Sequence, residues 1–166
     1  MSNPARDVEE LRKFLQENDF TRLPQQNTDA LRESSGVYIF VVNKNFALDY
    51  PKFTREVTGQ FTTADGRLGK TMLIVPGYNG ELRKDKSIRL KKGKIFYVGS
   101  ALKVRNRVQQ HLTSRTISKT ASLKLGFATR QVARKFLDVF VHYCGIDEAR
   151  ELEKYIRETW QPYFGE

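Results

Sequence analysis

The chain has 166 residues, with 29 Lys plus Arg against 19 Asp plus Glu, which gives a formal net charge of +10. This length predicts one domain with a real core, and the basic excess favours a polyanionic partner, either a nucleic acid or an anionic membrane face. A single cysteine, Cys144, excludes an intrachain disulfide and cysteine-rich zinc sites and favours a cytoplasmic location. The sequence shows neither a signal-peptide pattern nor an apolar run of roughly 20 residues, so neither a leader nor a membrane span is predicted.

The first part of the chain is predicted to hold one helix and one buried strand. Residues 4–18 place their apolar side chains on one side, which predicts an amphipathic helix. Residues 24–27 form a polar connector, and residues 28–33 are predicted as a short turn of helix. Residues 36–42, Gly-Val-Tyr-Ile-Phe-Val-Val, are apolar almost throughout, so we expect a central strand that is covered on both faces.

Residues 43–93 are the least regular part of the sequence, because Gly, Pro and Asn recur throughout them. We interpret this segment as an insertion of loops and short strands, with one strand predicted at residues 72–75. Residues 83–94 hold seven basic residues and a single acidic one. Because this basic segment leads straight into the next strand, three of its side chains are predicted nucleic-acid contacts: Arg89, Lys91 and Lys92.

The next segment changes from a strand pattern to a helix pattern at a glycine. Residues 94–98, Lys-Ile-Phe-Tyr-Val, predict a buried strand, and the chain is predicted to turn at Gly99. After the turn, apolar side chains recur every four residues, which predicts a helix with one buried stripe. That stripe consists of Val104, Val108 and Leu112.

Two side chains of this predicted helix, Arg107 and His111, are also four residues apart and therefore project from neighbouring turns of one face. A fixed guanidinium can contact two oxygens of a phosphate and stabilise the extra negative charge of a five-coordinate phosphorus. Taken alone, an Arg and a His on a helix more often belong to a solvated face. The pair becomes informative only together with the other segments.

The C-terminal part of the sequence predicts another long strand followed by a helix. Residues 113–127 are interpreted as a loop and then a short helix. Apolar residues alternate through 137–144, which predicts a strand with one buried face. Asp147 is a predicted N-cap for a helix over 148–160, which Pro162 ends.

Five further side chains have both a structural and a chemical interpretation. Tyr38 and Tyr97 lie on apolar strands, where tyrosines mostly pack, but paired phenols can also position or deprotonate a water if nearby cations lower a pKa. Glu153 borders the apolar side of the last predicted helix, where a carboxylate can form a salt bridge or hold a divalent cation. His142 alternates with the inward residues of its strand and is interpreted as a surface histidine, and Cys144 as a structural thiol.

In this order, the segments resemble the GIY-YIG nuclease superfamily. Gly-Val-Tyr at 36–38 resembles the first tripeptide that names the family, and Tyr-Val-Gly at 97–99 resembles the second. Arg107 and His111 follow the second tripeptide at the family's helical spacing. Glu153 resembles the glutamate of the family's terminal helix.

The resemblance implies both a fold and an activity. The fold would be an α/β (α+β) sandwich in which helices flank a central three-stranded antiparallel sheet. It would form a single domain over 1–166, with a helical extension at 1–35 and the 43–93 insertion between the first two strands. The activity would be that of a hydrolase, an endonuclease that cleaves DNA with one Mg²⁺ or Mn²⁺ ion.

The same resemblance implies a role for each of five side chains. Tyr38 would be the base or would position the attacking water, and Tyr97 would order the site. Arg107 would stabilise the transition state with assistance from His111. Glu153 would hold the metal ion.

The chain departs from the family pattern at two points. More than 50 residues separate its two tripeptides, where the family usually has a short link, and Gly165 stands where the family often has Asn. Restriction endonucleases of the superfamily, which are compact and carry insertions inside the domain, resemble this plan and imply a site-specific enzyme. Basic residues outside the insertion are further predicted DNA contacts: Lys103, Arg105, Lys119 and Lys124.

Several alternatives stay open on the sequence alone. The chain could be a nucleic-acid-binding module that does not cleave, although such a module has no need of Glu153 beside a polyanion. It could also be a structure-specific or single-strand-specific nuclease of the repair type. A protein of the membrane surface is disfavoured because the N-terminal helix is mixed in charge. The sequence does not distinguish a monomer from a homodimer.

Overall fold

A computed structural model describes residues 4–49, 87–112, 136–160 and 162–163. Three helices lie in these ranges: α1 (Pro4–Glu17), α2 (Val104–Leu112) and α3 (Ile146–Trp160). Six strands accompany them: β1 (Thr21–Arg22), β2 (Gly36–Val42), β3 (Phe46–Asp49), β4 (Ser87–Leu90), β5 (Ile95–Ala101) and β6 (Leu137–Tyr143). Two short 3₁₀ turns, Pro24–Gln26 and Thr28–Ala30, lie between β1 and β2. None of these helices is both long enough and apolar enough to cross a membrane.

The main sheet has four strands in the order β1-β6-β2-β5, and all neighbouring strands are antiparallel. β2 lies between two long partners and all of its residues are buried, which confirms the predicted central strand. The predicted number of three strands is wrong for this sheet, because Thr21 and Arg22 pair with Val141 and Phe140 of β6. A strand of two residues is too short to show an alternating pattern in the sequence.

Two predicted boundaries also differ from the structure. The chain does not turn at Gly99, and β5 continues to Ala101, because Gly99 pairs with Tyr38 of β2 and the ladder extends beyond this pair. α3 begins at Ile146, so Asp147 lies inside the first turn and is not the N-cap. At that position its carboxylate still interacts favourably with the positive end of the helix dipole.

The two ends of the 43–93 segment pair with each other. β3 and β4 form an antiparallel ladder in which Phe46 lies opposite Leu90. This ladder places a short strand at each border of the segment and holds its two ends side by side. The predicted strand at 72–75 and the predicted loop and helix at 113–127 lie outside the described residues.

Alternate side chains of β2 face two separate hydrophobic clusters. The cluster on the α2 face of the sheet includes Tyr38 and Phe40 together with the predicted apolar stripe of α2. The cluster on the α1/α3 face includes Val37 and Ile39 together with apolar side chains of α1 and α3. Both faces of the sheet are therefore covered, as the sequence predicts, and the helices that carry the candidate site residues pack on opposite faces.

Candidate active site

Tyr38 and His111 meet on the α2 face. The imidazole of His111 is fully buried, and its Nε2 lies 2.9 Å from the hydroxyl oxygen of Tyr38. Three aromatic rings surround this imidazole, with centroid distances of 5.4 Å to Tyr38, 5.6 Å to Phe40 and 4.8 Å to Tyr97. His111 is therefore part of the core of the site and does not belong to a solvated helix face.

Tyr97 supports this arrangement from β5. Its ring lies beside that of Tyr38, with centroids 6.2 Å apart and an angle of 25° between the ring planes. It also contacts Phe40 at a centroid distance of 6.3 Å, and only 6% of Tyr97 is exposed. The contacts of Tyr97 therefore restrict the rings of both Tyr38 and His111.

Arg107 lies one helical turn before His111 and is half-buried. Its guanidinium lies close enough to the Tyr38 hydroxyl to lower the pKa of that phenol, and its Nη1 donates to Oε1 of Gln110 at 3.0 Å. The Tyr38 oxygen can accept from the guanidinium while its own proton is donated to Nε2 of His111, in the tautomer whose proton is on Nδ1. Because part of Arg107 is accessible, a phosphate oxygen can also reach the guanidinium.

Burial raises the pKa of the Tyr38 phenol well above its ordinary value of 10.0. The Tyr97 phenol and the Glu153 carboxylate raise this pKa further, whereas Arg107 lowers it without compensating for the burial. The condition that neighbouring cations lower the pKa of a catalytic tyrosine is therefore not met at Tyr38, because burial outweighs the effect of Arg107. At neutral pH Tyr38 is a neutral phenol that can donate one hydrogen bond and accept others.

This raised pKa predicts a pH dependence of stability. A phenol that holds its proton more tightly in the folded chain stabilises the fold below its unfolded pKa, and this contribution is lost as the pH rises through the folded pKa. Above about pH 10, the free energy of unfolding of the wild type should therefore fall more steeply with pH than that of Tyr38→Phe. Urea unfolding of both proteins between about pH 8 and pH 11 measures the two slopes, and equal slopes would contradict the prediction.

Gly99 provides the space that the Tyr38 ring occupies. It lies directly opposite Tyr38 in the ladder of β2 and β5. A Cβ added at Gly99 would approach the hydroxyl oxygen of Tyr38 to 2.3 Å and its Cζ to 2.4 Å. The glycine of the second tripeptide is therefore required for the phenol to reach His111, since any side chain would displace the ring.

Glu153 lies on α3 and contacts β5, which is an edge strand of the sheet. Its Oε2 accepts a hydrogen bond from the Ser100 hydroxyl at 2.5 Å, and its Oε1 accepts one from Nη2 of Arg157 at 2.8 Å. The same Nη2 donates to the backbone oxygen of Val98 at 3.1 Å, so Arg157 connects the carboxylate to β5. Ser100 directly follows Gly99, the residue that lies opposite Tyr38, so the Glu153 carboxylate is bound to β5 next to the position that faces the Tyr38 ring. Its negative charge also raises the pKa of the Tyr38 phenol.

The Glu153 carboxylate fits a divalent cation without losing these two partners. Each carboxylate oxygen has two lone pairs, and Ser100 and Arg157 each use one. Mg²⁺ and Mn²⁺ prefer oxygen ligands, and Mg²⁺ typically combines one or two carboxylates with several waters and substrate phosphates. Since 18% of the Glu153 side chain is exposed, the carboxylate fits a cation whose other ligands are water and phosphate oxygens.

Sequence reasoning does not single out Ser100 and Arg157, although a signal exists for each. Ser100 directly follows the second tripeptide. Arg157 is four residues after Glu153, the spacing at which a glutamate and a basic residue meet on one helix face. Together they hold both carboxylate oxygens towards β5, so Glu153 is a fixed carboxylate and not a mobile surface acid.

Two of the predicted nucleic-acid contacts lie where β5 passes into α2. Lys103 is exposed, and Arg105 forms an ion pair with Asp29 at 3.6 Å. The Asp29 side chain is 82% exposed, so this pair is screened by solvent and contributes little. Arg105 therefore remains available to a phosphate beside the site.

The other predicted contacts lie farther from the second tripeptide. Arg89 is on β4, and Lys91 and Lys92 are on the turn that leads into β5; all three are exposed. They extend the basic surface away from the Tyr38 hydroxyl along β5. Lys119 and Lys124 fall outside the described residues.

Comparison with known families gives a match to the GIY-YIG catalytic domain over residues 87–165. The match contains four of the five candidate site residues, and Tyr38 lies before it on β2, which pairs with the matched strand β5. The antiparallel sheet and its flanking helices fit this family. No curated protein and no solved structure gives a significant match. The matched segment and the tripeptides that pair in the sheet support placing the chain in the GIY-YIG nuclease superfamily.

Proposed function

We propose that this protein is a divalent-metal-dependent endonuclease that hydrolyses phosphodiester bonds of DNA. Its superfamily implies nuclease activity in general. The more specific proposal rests on one observation: the linked groups of Arg107, Tyr38 and His111 lie beside β5, the strand to which the Glu153 carboxylate is bound. Phosphodiester hydrolysis needs a group that binds the phosphate, a route for the proton of the attacking water and stabilisation of the developing charge. These side chains can supply all three.

Arg107 is proposed to bind the scissile phosphate. Its guanidinium can contact the Tyr38 hydroxyl and still present N–H groups to two phosphate oxygens. As water attacks, negative charge accumulates on these oxygens, so the contacts become stronger in the transition state than in the bound substrate.

Tyr38 is proposed to position the attacking water and to relay its proton. Because its pKa is raised, a free phenolate at neutral pH is not required and is disfavoured. The phenol oxygen can receive the proton of the water while the phenol proton passes to Nε2 of His111 at 2.9 Å. This role places His111 behind Tyr38 as the acceptor of the proton, which is why its burial is compatible with catalysis.

Glu153 is proposed to hold one Mg²⁺ or Mn²⁺ ion, with Ser100 and Arg157 orienting the carboxylate. When bound, such an ion would stabilise negative charge on phosphate oxygens and on the leaving oxygen. The two orienting side chains keep Glu153 against β5, so the carboxylate does not need to be ordered when the substrate binds.

The net charge of +10 supports DNA as the substrate, since a basic protein neutralises phosphates and releases counterions. A site-specific enzyme of the restriction type is one form of the proposal, and a nuclease specific for single strands or for a DNA structure is another. A module that binds DNA without cleaving it would leave the fixed carboxylate of Glu153 without a function, because a carboxylate repels a polyanion.

Cleavage assays separate these forms. Purified protein is incubated with supercoiled plasmid and with single-stranded circular DNA, in Mg²⁺, in Mn²⁺ or in EDTA. We expect cleavage with either cation and none in EDTA. Discrete plasmid fragments would indicate a site-specific enzyme, whereas cleavage of the single-stranded circle alone would indicate a single-strand-specific one. DNA binding without cleavage in every condition would contradict the proposal.

Gly99→Ala should lower the cleavage rate by about 10²-fold, the size expected when a reacting group is misplaced by about 1 Å. The added methyl group would displace the Tyr38 hydroxyl from His111. The matched control is Gly145→Ala, because nothing lies within 4 Å of a Cβ added at Gly145. Single-turnover rates and melting temperatures of both variants test the prediction, and a wild-type rate in Gly99→Ala would contradict it.

Replacement of Arg89, Lys91 and Lys92 by Glu should weaken DNA binding. Each phosphate contact that is lost should also reduce the dependence of log affinity on log salt by about 1. Cleavage at saturating DNA should persist, because Tyr38 and Arg107 are unchanged. Fluorescence anisotropy at several salt concentrations measures affinity and slope, beside single-turnover cleavage.

The control for this charge reversal is Lys13→Glu. Lys13 is exposed on α1, pairs with Glu17 at 3.9 Å and is not one of the predicted DNA contacts. This variant changes the net charge without removing a predicted phosphate contact. If the triple variant and the wild type bind DNA with the same affinity and salt slope, Lys103 and Arg105 become the expected contacts instead.

A further inference from the structure

A second group of metal-ligating side chains lies outside the candidate active site. His142 is on β6, Cys144 directly follows β6, and Glu148 is in the first turn of α3. One ligand atom from each of these side chains lies within 4.8 Å of the other two. We propose that His142, Cys144 and Glu148 form a separate binding site for a transition-metal ion of the zinc type.

The spacing of the three donor atoms is close to what such an ion requires. Zn²⁺ binds sulfur at about 2.3 Å and nitrogen or oxygen at about 2.0–2.2 Å in tetrahedral geometry. Donor atoms in such a site are therefore roughly 3.5 Å apart. Starting from separations of at most 4.8 Å, small rotations of the side chains complete the site.

The backbone around the cluster is already held in place. The Cys144 amide donates to the Ser35 carbonyl oxygen at 3.2 Å, and the Ser35 hydroxyl donates to the Cys144 carbonyl oxygen at 2.6 Å. His142 pairs with Val37 in the sheet, and its ring contacts that of Phe20 at a centroid distance of 5.5 Å. His142 alternates with the buried residues of β6, as the sequence predicts, but it is half-buried and lies beside two other potential ligands, so it is not isolated.

The donor types decide which ions fit. A thiolate and an imidazole favour Zn²⁺, Co²⁺ and related ions over Mg²⁺, which prefers oxygen ligands. Three protein ligands leave the fourth tetrahedral position to water. Because Glu148 is exposed while the other two side chains are half-buried, an ion can enter from solvent.

The cluster is independent of the proposed Mg²⁺ site on the same helix. Glu148 and Glu153 are five residues apart, which corresponds to about 7.5 Å along the axis and about 140° around it. A metal ion at the cluster would connect the end of β6 to the start of α3, the helix that carries Glu153. It would therefore stabilise that junction whether or not the protein is a nuclease.

Titration of the full chain with Co²⁺ tests the site without any activity assay. The chain has one cysteine, so a thiolate-to-cobalt absorption band with one Co²⁺ per chain can arise only from Cys144. We expect this band in the wild type, its displacement by Zn²⁺ and its absence in Cys144→Ser. Zn²⁺ should also raise the melting temperature of the wild type but not that of Cys144→Ser.

Two ligand variants and two controls on α3 complete the test. His142→Ala and Glu148→Gln should weaken Co²⁺ binding by at least roughly tenfold, since even the loss of an outer-shell partner costs this much. Glu151→Gln, which changes an exposed acid of α3, and Glu153→Gln should keep the band. The exposed position of Glu148 makes its variant the least disruptive to folding. Absence of the band in the wild type, or unchanged affinity in Glu148→Gln and His142→Ala, would overturn the proposal.

Discussion

Glu153→Gln should abolish cleavage and leave DNA binding intact. The amide keeps the size of the side chain and an oxygen that can accept from Ser100, but it removes the anionic oxygens that a hard cation prefers. It also removes the negative partner of Arg157, whose Nη2 lies 2.8 Å from the carboxylate in the wild type. The positive charge of Arg157 is then less compensated, so the attraction for a DNA phosphate should be equal or stronger.

Single-turnover cleavage in Mg²⁺ and anisotropy binding in EDTA measure the two effects separately. Glu151→Gln is the matched control, because it makes the same chemical change at an exposed position of α3 and should behave as the wild type. Cleavage at the wild-type rate by Glu153→Gln would remove this carboxylate from the mechanism. Equal loss of binding and cleavage would show that Glu153 serves DNA binding and not the chemical step.

Long patterns explain which elements the sequence predicts correctly. β2 is a run of apolar residues that lies between two partner strands, and the four-residue repeat of Val104 and Val108 marks the buried side of α2. In both cases the pattern extends over several residues and reflects burial directly. The sequence does not predict β1, because Thr21 and Arg22 are exposed and show no burial pattern. They form a strand only by pairing with β6, which lies far along the chain.

The candidate site shows the same division between local and long-range information. The spacing of Arg107 and His111 correctly places both on one helix face, but the burial of His111 depends on the ring of Tyr38, which is 73 residues away, as well as on that of Tyr97. The direction of the Tyr38 pKa shift also depends on burial, a tertiary property, so the sequence alone does not give the sign of this shift. Of the two partners of Glu153, Arg157 is local whereas Ser100 is 53 residues away.

Arg107→Ala should lower the single-turnover rate by about 10²–10³-fold, the usual cost of removing one donor to the charge that develops in a transition state. Part of the loss comes from the Tyr38 hydroxyl, which the guanidinium can contact. Arg107→Lys should restore only part of the rate. A single ammonium cannot reproduce the planar guanidinium, which can contact the phenol and two phosphate oxygens together.

The comparison with Arg105→Ala separates transition-state stabilisation from phosphate binding. Arg105 lies on the same helix and pairs with the exposed Asp29, so its loss should weaken DNA binding and leave the rate at saturating DNA nearly unchanged. Arg107→Ala should show the opposite pattern, with a large loss of rate that saturating DNA does not restore. If Arg107→Lys cleaves at the same rate as the wild type, the planar guanidinium is not needed. A simple positive charge would then account for the role of this residue.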